Sequence, residues 1–501
     1  MDASNQESLK ERENYGLLFL LIVIGIILSI KITINQLVLF LILLFILWIL
    51  KYPAKATYLL VFTIPLSPYI ALFKSAHATY GYVYFNLSDL IVSGLLLSLF
   101  LNFCLREKSL TKYPLLRTNF SIVVLYFCLL VFTGLIRPIN DFMFQLFYLL
   151  RYTLYFMIGF YVWKYLSVKD IEKYILILLS GLLINSVYAI YAFVESVFHG
   201  RYLNFGLVPR VSGFWGIVWG AEDYTPEIGD PGNFAMYLLI SLIVNILYLF
   251  YKMPRPKGFK KKIVITSLFF GFIALHMTMS RTVIFAFWGA CLFLLIFEGK
   301  MYFKKKIILS FSVILLVGIS VIYYIGIDLV GFLVERLYFE TSVELTTGGQ
   351  EGRFRLTANL IRYLLNEPLH WWGHGISSDR LYMDALAERG IIPDIHTIHT
   401  GYLSLFWDGG FIGLFIWALW IKRHLVILSI IKKKATEIGW LAVSLKGILI
   451  GILIATISTA IVHNFRLIGY FSFLIGLLLK YVHQNYYPFK GYSLIQTNDE
   501  R

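Results

Sequence analysis

The residues best suited to chemistry are arginines and histidines concentrated in one polar interval, residues 327–400, between two apolar segments. They are six arginines and four histidines, with no lysine: Arg336, Arg353, Arg355, Arg362, Arg380, Arg389, His370, His374, His396 and His399. Arginine binds phosphate or carboxylate with a planar fork, and histidine accepts a proton near neutral pH. The interval therefore suggests a site that binds an anion and moves a proton.

The composition places these residues in a membrane protein. The chain has 501 residues, of which 59% are hydrophobic and 15% charged, a balance that excludes an ordinary soluble domain. The three cysteines, Cys104, Cys128 and Cys291, all lie in apolar runs, which argues against a disulfide framework or a thiolate metal site.

The apolar runs predict an all-α polytopic membrane protein with about 14 transmembrane helices. The predicted spans lie near 16–31, 34–50, 56–73, 87–104, 118–136, 142–163, 174–198, 233–251, 263–279, 282–298, 307–326, 401–421, 438–460 and 465–481. Two sizeable external loops, the second partly helical, interrupt them. The expected organisation is N-terminal helices 1–198, an external loop 199–232, central helices 233–326, a large external loop 327–400, and C-terminal helices with a cytoplasmic tail, 401–501.

The positions of lysine and arginine orient these spans. With both termini inside, lysine outnumbers arginine 23 to 6 in the inside segments, whereas arginine outnumbers lysine 11 to 2 outside. Lysine therefore marks the cytoplasmic face, following the positive-inside rule. The net charge of +15 is explained by topology, and no nucleic-acid partner is expected.

The outside arginines need a separate explanation because positive charge there opposes the topological bias. Each could pair with an outside acid, such as Glu335, Glu340, Glu351 or Asp384. For the whole set we favour anion binding, since arginine is preferred over lysine for two-pronged recognition of phosphate.

Four ordered motifs resemble the O-antigen ligase/O-antigen polymerase superfamily over roughly residues 200–420. They are Pro209–Tyr237 with Arg210, Gly213, Asp230, Gly232 and Asn233; Met279–Phe287, MSRTVIFAF; Gly352–Gly375 with Arg353, Pro368, Gly373 and Gly375; and Ile398–Leu414 with His399, Tyr402, Gly410 and Gly413. The chain departs from the family pattern at Thr400, at Thr282 and in an insertion, WGAEDYTPEIGD, within the first loop. These departures bear on the substrate pocket.

The resemblance implies a metal-independent integral-membrane glycosyltransferase without a cofactor. Its donor would be an undecaprenyl-pyrophosphate-linked glycan, and its acceptor a lipid-linked repeat unit or lipid A-core. Other implied partners are membrane lipids and, for a polymerase, a chain-length regulator co-polymerase. The implied place is the bacterial cytoplasmic (inner) membrane, with the active site on the external, periplasmic side.

The resemblance also assigns roles within the site. Arg210, Arg281 and Arg353 would bind the donor pyrophosphate, and His399 would be the catalytic base. Supporting roles are expected for His396, Tyr402, Arg151 and His374. Other interpretations stay open: His399 as an interfacial or capping residue, Arg281 as an arginine that reaches the headgroups, and Arg151 as a structural ion pair.

The class of activity also leaves alternatives. Two substantial outer loops favour a polymerase that holds two glycan chains, over a ligase that transfers finished glycan to lipid A-core or protein. A lipid-linked oligosaccharide flippase would need cations in a central cavity, whereas here the arginines and histidines concentrate in outer loops.

Overall fold

The computed structural model describes the chain in ranges separated by gaps. The described residues are 34–66, 69–74, 82–106, 114–136, 142–198, 211–216, 218–219, 231–251, 256–298, 320, 331, 353–366, 371–375, 401–435, 437–457 and 464–486. The chain forms two compact units, Met1–Pro53 and Ala54–Arg501. The described part of the first unit consists mainly of one apolar helix, α1, Ile34–Lys51.

Helices dominate the rest of the described chain, as the apolar runs predict. They are α2 Pro53–Leu66, α3 Leu87–Arg106, α4 Pro114–Ile136, α5 Phe142–Phe156, α6 Ile158–Tyr165, α7 Ile171–Phe198, α8 Pro231–Phe250, α9 Gly258–Met277, α10 Arg281–Phe293, α11 Arg353–Asn366, α12 Gly401–Lys434, α13 Gly439–Ala455 and α14 Phe465–Tyr486. Short 3₁₀ turns occupy Val168–Asp170 and Gly213–Gly216, and a π-helical turn, Leu294–Glu298, ends α10.

A small sheet, which the all-helical prediction did not include, joins two segments from the predicted outer side. Its strands are β1 Tyr69–Lys74, β2 Tyr82–Asn86 and β3 Val218–Trp219, in the order β2-β1-β3. β1 is antiparallel to β2 and parallel to β3. The sheet therefore ties the segment after α2 to the one that precedes α8.

Helices α8 and α13 form the buried centre of the second unit. Every residue of α8 from Phe234 to Tyr248 is buried, and so is every residue of α13 from Gly439 to Leu449. A helix that is apolar on all sides is covered either by other helices or by lipid, and here neighbouring helices cover both. α10, α12 and α14 supply much of that surrounding surface to α13, and α7 and α9 contact α8.

The outer helices expose large apolar side chains where a soluble protein would carry polar ones. Phe285, Leu292 and Phe415 are 62%, 58% and 64% exposed, as expected for a lipid-facing surface. Six of the described helices are long and apolar enough to cross a membrane, or seven if Leu41–Lys51 and Pro53–Leu66 form one span. The protein is therefore a helical membrane protein.

The full span count and the two external loops stay predictions. The predicted span near 16–31 lies outside the described residues, as do all of 307–326 except residue 320 and most of 199–232 and of 327–400. The five-part domain organisation is untested for the same reason.

Two predicted boundaries differ most from the helices observed. α2 ends at Leu66 instead of continuing to residue 73, because Pro65 and Pro68 disfavour a further turn, and the chain resumes as β1. α12 continues thirteen residues past the predicted end at 421, to Lys434. Charged residues mark where a span leaves the bilayer, but lysine and arginine are good helix formers and do not end the helix itself.

Candidate active site

Five of the eight residues predicted for the site fall within the described part of the chain. They are Arg151, Arg281, Arg353, His374 and Tyr402, although for Arg353 only the backbone is described. Arg210, His396 and His399 lie outside the described residues. For these three residues, the structure describes only the elements next to them in the chain.

Arg281 is the first residue of α10 and follows a tight turn from α9. Within this turn Met279 has φ +51°, a left-handed conformation that is unfavourable for a residue with a Cβ. The Met279 amide donates to the His276 carbonyl at 3.1 Å, and the Ser280 amide donates to the Thr278 hydroxyl at 3.3 Å. These bonds hold the strained turn and fix where α10 begins.

The helix that Arg281 starts runs antiparallel to α13. Leu294 near the end of α10 packs against Gly447, and Gly289 lies against Ile454 near the end of α13. The beginning of α10 therefore lies at the same end of the bundle as Ala455, the last residue of α13.

The start of α12, two residues after His399, reaches that same end. The Gly401 amide donates to the Thr456 carbonyl at 3.0 Å, and the Tyr402 hydroxyl donates to the Leu453 carbonyl at 2.8 Å. The structure thus brings the backbone of Arg281 and the segment that directly follows the predicted base to one end of α13.

A break in α12 receives the motif WWGHG, residues 371–375. At Gly410 the backbone is non-helical, with φ +62° and ψ −158°. The amides of His374 and Gly375 donate to the carbonyls of Trp407 and Asp408, at 2.8 and 2.9 Å. The 371–375 segment therefore supplies donors to carbonyls just before the point where the helix is interrupted.

Glycine is required on both sides of this contact. A Cβ on Gly410 would overlap the carbonyl oxygen of Trp371, and a Cβ on Gly373 would overlap that of Asp408. Both residues also have positive φ, as does Gly375 at +87°. The motif glycines are thus explained by a close approach of two backbones.

His374 has a packing role in this contact. Its ring is fully buried and stacks on Trp407 with 4.1 Å between ring centroids and 10° between planes. Its Nδ1 lies 3.3 Å from the Trp407 carbonyl oxygen. The ring orients the 371–375 segment on α12, and its burial keeps it from direct contact with a substrate in this conformation.

The helix that begins at Arg353 packs on the first turns of α12. Leu360 and Leu364 of α11 form a buried cluster with Phe406 and Trp407. Because leucines four residues apart lie on one helical face, this contact sets the direction of α11. The helix that begins at Arg353 is thereby attached to α12, whose first residue follows the predicted base by two positions in the sequence.

Arg151 forms a buried two-pronged ion pair with Asp89 at the start of α3. Its Nε donates to Asp89 Oδ1 at 2.9 Å and its Nη2 donates to Oδ2 at 2.6 Å. The Asn86 amide donates to the same carboxylate, and the Tyr155 hydroxyl donates to the Asn86 side chain. The structural ion pair, one of the interpretations left open for Arg151, is therefore present. Its partner Asp89 was visible in the sequence as an acid at the start of an apolar run.

Arg466 is not among the residues predicted for the site, although it lies at the start of the last predicted span. In the structure it is fully buried near the start of α14, and its guanidinium lies 5.2 Å from the centre of the Trp215 ring. Trp215 belongs to the segment that follows Arg210. An arginine at the edge of the last apolar run was the available signal.

Metal binding is not decided by the described residues. Among them, no three histidine, cysteine, aspartate or glutamate side chains form a group that could hold a metal ion. Residues 376–400, which contain His396 and His399, are not included in that statement, so metal independence stays a prediction.

Comparison with known proteins places these elements in a family. Residues 266–418 match the family model described as O-antigen ligase. Comparison with curated proteins found no match. The matched region begins within α9, includes Arg281, Arg353 and the contact between 371–375 and α12, and ends within α12. Residues 266–418 of this helical membrane protein therefore form a glycosyltransferase-type domain that matches the O-antigen ligase family, which supports the ligase/polymerase superfamily that the motifs predict.

Proposed function

We propose that the protein is an O-antigen-type polysaccharide polymerase. It transfers glycan from an undecaprenyl-pyrophosphate donor to a lipid-linked repeat-unit acceptor. The observation that supports this most is the meeting of the Arg281 turn and the start of α12 at one end of α13, with α11 packed on α12. The Arg281 turn and the start of α12, more than a hundred residues apart in the chain, thus lie at the same end of the helix bundle.

The proposed reaction needs a cationic group and a base at that place. The acceptor hydroxyl oxygen attacks the anomeric carbon, and the bond from that carbon to the pyrophosphate oxygen breaks with its electron pair. His399 takes the hydroxyl proton, while Arg210, Arg281 and Arg353 stabilise the charge that develops on the pyrophosphate. His396 and Tyr402, three residues before and after His399 in the sequence, support this arrangement.

The proposed site lies on the external side of the bacterial cytoplasmic membrane. The lysine distribution supports this orientation, because Lys432, Lys433 and Lys434 end α12 opposite the end that follows His399. A lipid-anchored pyrophosphate lies at this membrane boundary, so the donor need not leave the bilayer. A chain-length regulator co-polymerase is a proposed partner on the same side.

The deciding experiment supplies purified protein in nanodiscs with lipid-linked repeat units, with and without lipid A-core. A polymerase extends glycan on the lipid carrier without lipid A-core. Product formed only with lipid A-core would overturn the polymerase and support the second candidate, a ligase, which the description of the matched family favours. Movement of the lipid-linked substrate across the bilayer without any transfer would instead indicate a flippase.

A further inference from the structure

Arg466 occupies a position that is unfavourable for a cation in two respects. It is fully buried, and it lies in the first turn of α14, where the Asn464 side chain accepts the Leu467 amide at 3.1 Å. The N-terminus of a helix repels positive charge, and burial removes the water that would stabilise it. Specific contacts must therefore offset this placement.

One such contact is the face of Trp215. The guanidinium carbon of Arg466 lies 5.2 Å from the centre of the indole ring, and Trp215 is only 3% exposed. An arginine over a desolvated tryptophan makes one of the stronger cation–π contacts. The indole N–H in turn donates to the Pro65 carbonyl at 3.0 Å, so Trp215 cannot turn freely.

The backbone around Trp215 is held from a second side by Asn185 of α7. The Asn185 side chain accepts the Phe214 amide at 2.9 Å and donates to the Pro65 carbonyl at 2.8 Å. Gly213 has φ +56°, and a Cβ there would overlap Asn185 and lie 2.8 Å from Phe234. These contacts hold the turn Gly213–Gly216 against α2, α7 and α8.

The turn Gly213–Gly216 begins three residues after Arg210, the arginine proposed to bind the donor pyrophosphate. We propose that Arg466 is a positioning residue that, through Trp215, holds the turn Gly213–Gly216 and thereby positions Arg210, which precedes it in the chain. The proposal rests on the proposed function for its catalytic consequence, but not for the contact itself. Arg466 is too buried to touch a substrate in this conformation and acts through the segment it holds.

The kinetic test uses Arg466→Lys, which keeps the charge but loses the flat stacking surface. We expect kcat/KM for the donor to fall about tenfold, because Arg210 binds the pyrophosphate and stabilises its developing charge, while the acceptor KM stays within about twofold of wild type. Trp215→Leu should lower kcat/KM to a similar extent, and Trp215→Phe, which keeps an aromatic face, should lower it less. In an Arg210→Lys background, Arg466→Lys should add no further effect. Arg423→Lys, the same change in α12, is the matched control and should leave kcat/KM for the donor unaltered.

A second readout requires no glycan substrate. Ser212 is 7% exposed, so a cysteine placed there in a chain lacking Cys104, Cys128 and Cys291 should react slowly with a maleimide. We expect Arg466→Lys to speed this labelling about tenfold or more, and Trp215→Leu to do the same if Arg466→Lys fails to fold. The proposal would be overturned if Arg466→Lys left the labelling rate unchanged. It would also be overturned if Arg466→Lys lowered transfer equally in the wild-type and the Arg210→Lys backgrounds. Absence of transfer by wild-type protein would overturn the proposed function, and the labelling would still decide the role of Arg466.

Discussion

The two ends of the second unit bury positive charge in different ways. At one end, which we call the lysine end, Glu298 in the turn that ends α10 accepts hydrogen bonds from two lysines. They are Lys446 of α13, at 2.8 Å, and Lys432 of α12. At the other, the sheet end, Arg466 stacks on Trp215, and Arg151 forms a two-pronged ion pair with Asp89 beside the last residue of β2. The lysine end uses lysine as a point charge, and the sheet end uses the planar guanidinium of arginine.

The difference indicates a division between stability and recognition. The glutamate at the lysine end joins three helices through ion pairs with two lysines, a contact that tolerates small changes in geometry. At the other end, Met279 and Gly410 have left-handed backbones, and WWGHG fits closely against α12. Strained, closely fitted backbones hold side chains in one orientation, which suits a site that must place several groups around one bond.

The largest expected effect comes from removing the proposed base at the sheet end. His399→Ala should retain donor binding but lose transfer by about 10²–10⁴-fold, the usual contribution of a general base. Donor binding and single-turnover transfer are measured on the same folded preparation. Near wild-type turnover would reject His399 as the base and direct attention to His396 or Asp394.

The next effect tests whether the sheet end needs the shape of arginine as well as its charge. Arg281→Lys keeps the charge but loses the fork, and transfer should fall by about 10²-fold, comparable with removing one donor from an oxyanion hole. The matched control is Lys433→Arg, an exposed position at the lysine end, which should leave the rate unchanged. If Arg281→Lys and Lys433→Arg had equal transfer rates, the proposed difference between the sheet end and the lysine end would be wrong.

The lysine end should respond in stability and not in chemistry. Glu298→Gln leaves the largely buried Lys446 without its carboxylate, and the free energy of unfolding should fall by about 3–5 kcal/mol. Thermal unfolding in detergent measures the loss, and transfer per folded molecule should be preserved at low temperature. A fall in specific activity with unchanged thermal stability would contradict the structural role of this cluster.

A smaller effect separates backbone strain from close contact. Gly410 and Gly258 both have positive φ, but Gly410 abuts Trp371, whereas nothing lies within 4 Å of a Cβ on Gly258. Gly258→Ala should destabilise the protein by about 1 kcal/mol from backbone strain alone. Gly410→Ala should destabilise it by about 3 kcal/mol and also lower transfer, because the 371–375 segment must move. Similar melting temperatures and similar rates for the two variants would show that the contact has little importance.

No effect is expected from chelation. The proposed arginines take the place of a metal ion at the pyrophosphate, so transfer in EDTA should equal transfer without it. The assay is run with added magnesium as its comparison. Loss of transfer in EDTA that a divalent ion restores would show that the sheet end relies on metal as well as arginine.

The sequence by itself determined the membrane class, most helix positions and the family. Apolar runs and lysine positions are local or statistical signals, and each can be read without knowing which helices touch. The motif glycines were also visible, since Gly373 and Gly410 belong to the quoted patterns. Their reason was not visible, because it depends on two backbones from distant parts of the chain meeting.

Only the tertiary structure decided which buried charges have which partners. Asp89 and Arg151, Trp215 and Arg466, and His374 and Trp407 are separated in sequence by about 30 to 250 residues, and no spacing rule in one sequence links such pairs. A lone arginine or histidine in an apolar chain has the same local signature whether it stacks, pairs or binds substrate. Its role is set by the desolvated surface that packing brings against it, and that surface exists only once the helices have assembled.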